Sequence, residues 1–557
     1  MEEDRKEEEV VEEEKEELED TQVIRKQEPP KKKKTGVKVV VVILILILIA
    51  ILCYAAFMNF KPTKKVVKNK SKEYESELRL SGNGLEDFDL YFMKLENNKK
   101  NSVYSPLSIK YALAMLSEGA KGETKSQLDA VIGDYKAKSY PNNEHMSFAN
   151  AMFIRDSYKN NIKIEYSDKL KEKYNAEVVL DPFTSPDNIN NWVSNKTFNL
   201  INNLLSDVSD NDFFLINALA IDMDWNNQIH CALGHEDVPC LGNGTYSIYY
   251  DHERMSDDEK WAYGVTSYPY GSEEEFYNLE FNGQKKIKSS GVLADFNKYD
   301  IVKELGEENI RKTVTEEYKK WLDQDDTKKM REMNPGLVEE RVSVAVDQYM
   351  EQLKSNYGKA ANNTDFYVYD DKEVKVFAKD LKQYEGITLQ YVGIMPKEDE
   401  LSSYIEDVKS EDINNIIKGL KEVKIESFKE GVATRIHGSI PLFKYDYELK
   451  LVDDLNRLGI TNIFTEKSDL SNMVEGPAII NKAIHKADIE FSNDGIKAAA
   501  ATAMGGYGST HGGFEYLYTI PVEDIDMTFN KPYMYIIRDK DSGEVWFVGT
   551  VYEPTKK

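Results

Sequence analysis

Four side chains that could bind a metal ion lie close together near the middle of the chain. His230, Cys231, His235 and Cys240 supply the imidazole and thiolate groups that zinc prefers. Their H-C-x3-H-x4-C spacing matches none of the common zinc motifs. The sequence therefore predicts no metal site and no cofactor.

The cysteine content sets limits on the fold. The chain has only three cysteines, Cys53, Cys231 and Cys240, which excludes a fold built on a disulfide framework. Cys231 and Cys240 could close a small loop in an oxidising compartment, or they could remain two free thiols. Both alternatives stay open.

No arrangement of residues indicates catalysis by the chain itself. A nucleophile needs a positioned base and a group that orients the base, and the scattered histidines and carboxylates show no such pattern. The stretch Gly505–Gly513 is rich in glycine but lacks the Gly-Lys-Ser/Thr ending of a phosphate-binding loop. We interpret it as an exposed flexible loop and predict that the protein is not an enzyme.

An alanine-rich segment precedes this loop. Ala498–Ala501 favour a helix, because alanine has the highest helix propensity. The same small side chains would also let an extended strand slip between two others without overpacking. In a strand, alternate side chains share a face, so Ile496 and Met504 would lie on a face without charge and Lys497 on the opposite face. Composition alone leaves both interpretations open.

The elements that would position these segments show clear local signals. Within Asn101–Leu128, a short strand is followed by a Ser-Pro pair that suits a helix start, with Ser105 as the cap and Pro106 in the first turn. Apolar residues then recur at helical spacing until Gly119. The sequence predicts a strand, a turn and one buried helix.

Five stretches of the chain, in the same order, closely resemble segments of the serpin family of protease inhibitors. Their order makes the resemblance specific, and it covers about residues 79–557 with one interruption. The stretches are Asn101–Leu128, Ile189–Leu205, Phe213–Trp225, Pro441–Met473, and Ala483–Ala503 together with Phe529–Pro554.

The resemblance implies an α+β fold with three β-sheets, about nine helices and an exposed reactive-centre loop. It also implies that a protease cleaves the loop, which then inserts into the main sheet and traps the protease. An inward face without charge favours this step, because an unpaired buried charge costs several kcal/mol. The hinge that would enter first comprises Gly495, Ile496, Lys497, Ala498, Ala499, Ala500, Ala501 and Thr502.

Two hinge features depart from the family pattern. Asn493 and Asp494 replace the usual pair of glutamates, and Ile496 replaces a small hydroxyl residue. The second change is expected to slow the first step of insertion. The resemblance also implies a polar cluster that controls opening of the sheet, with Trp225 at the top where insertion begins; its members are Ser105, Ser108, Asn217 and His485.

Two counts place the cleaved bond differently. Counting forward from Gly495 places it between Ser509 and Thr510, whereas counting backward from Phe529 places it near Leu517, because the loop is about eight residues longer than usual. An inserted strand of fourteen residues spans about 46 Å. Cleavage near Leu517 would leave slack that lets the protease escape, so we predict the Ser509–Thr510 bond.

The side chains near this bond suit more than one protease. Gly508 and Ser509 are small, which suits an elastase-like or subtilisin-like pocket, whereas Tyr507 suits a chymotrypsin-like pocket. The predicted partner is a serine protease, with a cysteine protease as an alternative.

Charge excludes one class of partner, and hydropathy predicts another. The formal net charge of −26 argues against nucleic acid, which requires clustered Lys and Arg. Val39–Phe60 is an uncharged apolar run long enough to cross a bilayer core of roughly 30 Å, and too long for a cleaved signal peptide. We expect a cytoplasmic tail (1–36), a single-pass signal-anchor (37–60), a linker (61–77) and an extracellular serpin domain (78–557), placing the protein in the cell membrane.

An insertion is predicted at about residues 228–340, where the chain is longer than the family pattern. A stretch of this length is uncommon without its own structure. It could bind an unknown partner, which leaves a second function open: a serpin-fold binding or sensing module without inhibitory action.

Overall fold

The computed structural model describes residues 78–226 (except 83), 279–323, 328, 332–358, 360–361, 365–492, 495–496, 518 and 521–555. The described residues all belong to one compact unit. No helix in these ranges is long and apolar enough to cross a bilayer. The apolar run Val39–Phe60 lies outside them.

Eleven α-helices occur within the described ranges, whereas about nine were predicted. Three of them, α6–α8, lie between residues 301 and 356. The helices are α1 (Asp87–Leu95), α2 (Pro106–Gly119), α3 (Gly122–Ile132), α4 (Ile164–Tyr174), α5 (Asp187–Lys196), α6 (Ile301–Leu305), α7 (Glu307–Leu322), α8 (Pro335–Asn356), α9 (Leu401–Asp407), α10 (Ser410–Gly419) and α11 (Leu451–Arg457).

The strands alternate with these helices along the chain. They are β1 (Ser102–Tyr104), β2 (Met146–Arg155), β3 (Ala176–Asp181), β4 (Phe213–Ile221), β5 (Met223–Asp224), β6 (Leu279–Phe281), β7 (Gln284–Ile287), β8 (Ser289–Asn297), β9 (Ala360–Ala361), β10 (Phe366–Asp370), β11 (Val374–Asp380), β12 (Leu389–Pro396), β13 (Lys421–Glu422), β14 (Ala433–Pro441), β15 (Phe443–Lys450), β16 (Ile484–Phe491), β17 (Gly495–Ile496), β18 (Val522–Asp526), β19 (Tyr533–Asp539) and β20 (Val545–Val551).

The described strands form five hydrogen-bonded sheets rather than the predicted three. The largest has the order β1-β20-β19-β12-β11-β10-β13, and a second has the order β18-β14-β8-β9. The remaining sheets are β15-β16-β17-β5, β3-β2-β4 and the hairpin β6-β7. Two features account for the difference: β4 and β16 do not pair, which divides one expected sheet in two, and β6-β7 forms a separate hairpin.

The strand, turn and helix predicted near the start of the domain are confirmed. Ser105 caps α2, its Oγ accepting a hydrogen bond of 3.1 Å from the Ser108 N–H, and Pro106 occupies the first helical position. The helix ends at Gly119, where an added Cβ would lie 2.8 Å from Cβ of Met473. Leu113 and its apolar neighbours on α2 are buried in the main core.

A buried ion triad joins α1, α2 and the turn between β19 and β20. Lys110 Nζ lies 2.7 Å from Asp89 Oδ1 and 3.0 Å from Glu544 Oε1, and all three side chains are at most 2% exposed. Burial raises the pKa of Asp89 to about 6. Although burial alone would lower it, the two carboxylates raise the pKa of Lys110 above its ordinary value.

Helices α7 and α8 form an antiparallel pair with their own small hydrophobic core. Apolar side chains such as Val314 and Met350 pack between them and against Ala433 of β14 and Val522 of β18. Two ion pairs reinforce the contact on the outside, Arg311–Asp347 at 2.6 Å and Lys354–Glu307 at 2.8 Å. The pair therefore sits beside the strand that follows the predicted loop.

Candidate functional site

An open slot lies between β4 and β16, the facing edges of two sheets. Within the described residues β4 and β16 are not paired as strands, and at one end β17 pairs with both β16 and β5. Beyond β17 a cavity of about 360 Å³ lies between the two edges. Its lining includes Phe213–Leu219 of β4, residues 477–487, which run into the first half of β16, the apolar side of α2 and, from α5, Val193.

The first two hinge residues already occupy the top of this slot. Gly495 pairs with Asp224, and Ile496 pairs with Met223 on one side and Phe491 on the other. A Cβ on Gly495 would lie 2.2 Å from the Met223 carbonyl oxygen, so the close approach requires glycine. Ile496 is 2% exposed, which places its side chain on the inward face.

Trp225 closes the slot above the hinge. Its indole is fully buried, and its Nε1–H donates a hydrogen bond of 3.0 Å to the Ser492 carbonyl oxygen. The ring packs edge-on against Phe491, with centroids 5.4 Å apart, and against Tyr391 at 6.2 Å. The tryptophan therefore connects the end of β5 to the residues that lead from β16 into the hinge.

A polar cluster lies on the floor of the slot, and it brings together residues far apart in sequence. His485 of β16 accepts a hydrogen bond of 2.9 Å at Nε2 from the main-chain N–H of Ser105, the cap of α2. Burial lowers the pKa of His485 to about 4, so the ring is neutral near pH 7 and can accept through Nε2. Ser108 and Asn217 line the same cavity.

Two polar atoms of this cluster lack a protein partner within the described ranges. Asn217 donates through Nδ2 to Asn150 Oδ1 at 2.7 Å, but its own Oδ1 is buried without a hydrogen bond, as is Ser108 Oγ. The sequence did not predict that Asn150 belongs to this cluster, because nothing local in β2 indicates that it faces β4. A hydroxyl entering the slot would satisfy one of these atoms, since an unmade buried hydrogen bond is costly.

Comparison with known proteins identifies the family. The profile described as Serpin (serine protease inhibitor) matches residues 87–335 and 361–554. This chain belongs to the serpin family. The matched residues include both edges of the slot, the hinge and β18–β20, whereas residues 336–360, which contain most of α8, are not matched.

Relatives of this serpin differ in how much of the chain they share. Serpin B4 of Homo sapiens is 22% identical over 504 residues, covering 84% of this chain and 97% of that protein. Leukocyte elastase inhibitor A of Mus musculus is 29% identical over 175 residues, covering 31% of this chain and 42% of that protein. The native state of the thermophilic serpin Tengpin matches with a TM-score of 0.53 at 21% identity, covering 88% and 95% of the two chains, which shows a shared fold.

Most of the reactive loop of this serpin lies outside the described residues. Both candidates for the cleaved bond and the charged hinge residue are among the residues that are not described. The suggested zinc ligands, elsewhere in the chain, also lie outside the described residues. The residues concerned are Lys497, Ala498, Ala499, Ala500, Ala501, Thr502, Tyr507, Ser509, Thr510, Leu517, His230, Cys231, His235 and Cys240. Their roles stay predictions.

Proposed function

We propose that this serpin inhibits serine-type proteases as a suicide substrate. The protease acylates on the reactive loop, the loop enters the slot as a new strand, and the protease is trapped before it can hydrolyse the acyl bond. The chain itself is not an enzyme, since the protease supplies the chemistry. The open slot, with Gly495 and Ile496 already paired at its top, is the observation that carries the proposal.

The register of β17 supports this mechanism. If the pairing of Gly495 with Asp224 continues one residue at a time, the alanine at position 500 lies opposite Leu219, and Thr502 lies opposite Asn217. Continued along β16, the same register would bring Thr502 beside His485. A threonine hydroxyl there would meet the unpaired Oδ1 of Asn217, and the charged Lys497 would face away from the core.

The same register supports cleavage between Ser509 and Thr510. If that register continued, Ser509 would lie opposite Asp210, three residues before β4 begins at Phe213, so a strand ending there would fill the whole slot. Cleavage near Leu517 would leave eight further residues, or about 26 Å of slack. A protease on so long a tether would not be pulled against the body of the inhibitor.

We further propose that the inhibitor is displayed at the cell surface. The support is the apolar run Val39–Phe60 with basic residues on both sides. Protease added outside intact cells that express the full chain should digest the serpin domain and spare the acidic tail. Protection of the serpin domain in intact cells would contradict this topology.

The inhibitory function is tested by mixing the full-length chain with elastase-like, chymotrypsin-like, trypsin-like and subtilisin-like proteases. The expected result is a covalent complex that survives denaturing electrophoresis, with a released fragment that begins at Thr510. Similarity to a relative named leukocyte elastase inhibitor makes the elastase-like enzyme the first choice. Loop cleavage without any trapped complex would contradict inhibition and favour the binding-module alternative.

A further inference from the structure

Side chains cross the slot at the end farthest from the hinge. Asn481 Nδ2 donates a hydrogen bond of 3.1 Å to the Asp210 carbonyl oxygen. Lys482 Nζ lies 3.1 Å from the Asp207 carbonyl oxygen and 3.4 Å from its Oδ2. Asn481 and Lys482 lead into β16, whereas Asp207 and Asp210 lead into β4, so these bonds join the two edges of the slot.

The segment that receives these bonds is held firmly on the β4 side. Asn190 of α5 accepts hydrogen bonds from the N–H groups of Leu204 and Leu205 at 3.0 Å and 2.9 Å. Arg155, the last residue of β2, donates to the carbonyl oxygens of residues 208, 209 and 211 at 2.7–3.1 Å. The segment therefore cannot follow β16 when the slot widens, and the crossing bonds must break instead.

The register of the hinge shows when they would break. If the pairing of Ile496 with Phe491 continued, residues 497–504 would lie beside β16 and the residue before it, short of Lys482. Gly505 and Gly506 would then lie beside Lys482 and Asn481. A strand separates its two neighbours by roughly 9.6 Å, twice the usual spacing, and it would occupy the path of the Asn481 side chain. Insertion up to Met504 passes Lys486 of β16, whose Nζ reaches the Asn203 carbonyl oxygen at 3.5 Å, but it leaves the bonds of Asn481 and Lys482 intact. Complete insertion breaks those bonds.

We propose that Asn481 and Lys482, bonded to Asp210 and Asp207, form a far-end latch that the loop breaks in the last step of insertion. The latch holds the two edges of the slot together at its far end before cleavage. It also competes with trapping, because an acylated protease waiting at the latch can still be released by hydrolysis. This inference rests on the proposed insertion mechanism, and it assigns positioning roles to Asn481 and Lys482, which lie beside the path of the inserting loop.

Two synthetic peptides separate the latch from the rest of the slot. Residues 497–504 stop short of it, and residues 497–509 extend past it. The full-length chain and its Asn481→Ala/Lys482→Met double variant are incubated with each peptide, and binding is followed by native electrophoresis. The control variant is Lys444→Met, since Lys444 pairs with Glu490 at 2.7 Å within β15 and β16 and does not cross the slot.

The latch predicts that the double variant binds the longer peptide about fivefold faster than the unaltered chain, since one or two exposed polar contacts are lost. The shorter peptide should bind all three proteins at the same rate. Equal acceleration of both peptides, or of neither, would overturn the latch while leaving insertion intact. If neither peptide binds any of the proteins, the slot does not accept a strand, and the proposed function fails together with the latch.

Discussion

The orientation of the hinge alanines can be tested by placing the same charge on opposite faces of the inserted strand. If the proposed insertion continues the register of β17, the side chain at position 500 would point inward between Leu219 and Ala487, which are 7% and 3% exposed. An arginine there would bury an uncompensated charge, at a cost of about 3 kcal/mol or more. In the same inserted strand, the side chain at position 499 would point outward beside the half-buried carboxylate of Asp488.

The cost converts into a measurable change in inhibition. The number of inhibitor molecules consumed per trapped protease equals one plus the ratio of the hydrolysis rate to the insertion rate. If half of this free-energy cost is already present in the transition state of insertion, Ala500→Arg slows insertion about tenfold. The number of inhibitor molecules hydrolysed for each protease trapped should then rise about tenfold. Ala499→Arg should change that number by less than about twofold.

The assay titrates a fixed amount of active protease with each variant and measures the residual activity, with denaturing gels to separate complex from cleaved inhibitor. Both variants carry the same added charge, so a general effect on docking would affect them alike. Equal loss of inhibition in the two variants, or a greater loss for Ala499→Arg, would refute the inward orientation of Ala500 and with it the register.

Three further perturbations test other parts of the structure. Replacing Lys110 with Met leaves two buried carboxylates without their cation, and urea denaturation should show the free energy of unfolding lowered by about 3–5 kcal/mol. The control variant Lys444→Met should lower it by less than about 1 kcal/mol. Gly495→Ala should break the pairing of β17, because the alanine Cβ would overlap the Met223 carbonyl oxygen. Hydrogen exchange at the Ile496 amide should then accelerate. Burial lowers the pKa of His485 from 6.5 to about 4, so its contribution to stability is complete above pH 6.5 and is lost as the pH falls towards 4. Relative to His485→Gln, the unaltered chain should lose about 3 kcal/mol over that range, and the comparison cancels the opposite effect of Asp89, whose pKa is raised to about 6.

Local signals were sufficient for the elements whose start and end are encoded in a few neighbouring residues. The cap at Ser105, the proline after it and the helical spacing up to Gly119 predicted β1 and α2 correctly. The resemblance named the residues that meet on the slot floor, and the structure places His485 2.9 Å from Ser105 although 380 positions separate them. No local pattern could have provided that contact.

The features that the sequence could not provide are those that depend on partners distant in the chain. Lys110 looks like an ordinary exposed helical lysine until Asp89 and Glu544 are placed around it. The split between β4 and β16 is also invisible, because both strands have the apolar pattern of paired neighbours. The same holds for Asn481 and Lys482, whose partners lie across the slot.

The position of the last two strands has a consequence for how the protein is made. β19 and β20 lie inside the seven-stranded sheet, and β20 is the strand to which β1 is hydrogen-bonded. At 5–20 residues per second, the ribosome needs roughly 20–90 s to travel from β1 to β20. Until β19 and β20 are made, the edge of β1 that pairs with β20 and, once it is synthesised, the edge of β12 that pairs with β19 have no partner strand. This domain therefore completes its folding only after synthesis, and a chaperone that shields those edges would raise its yield.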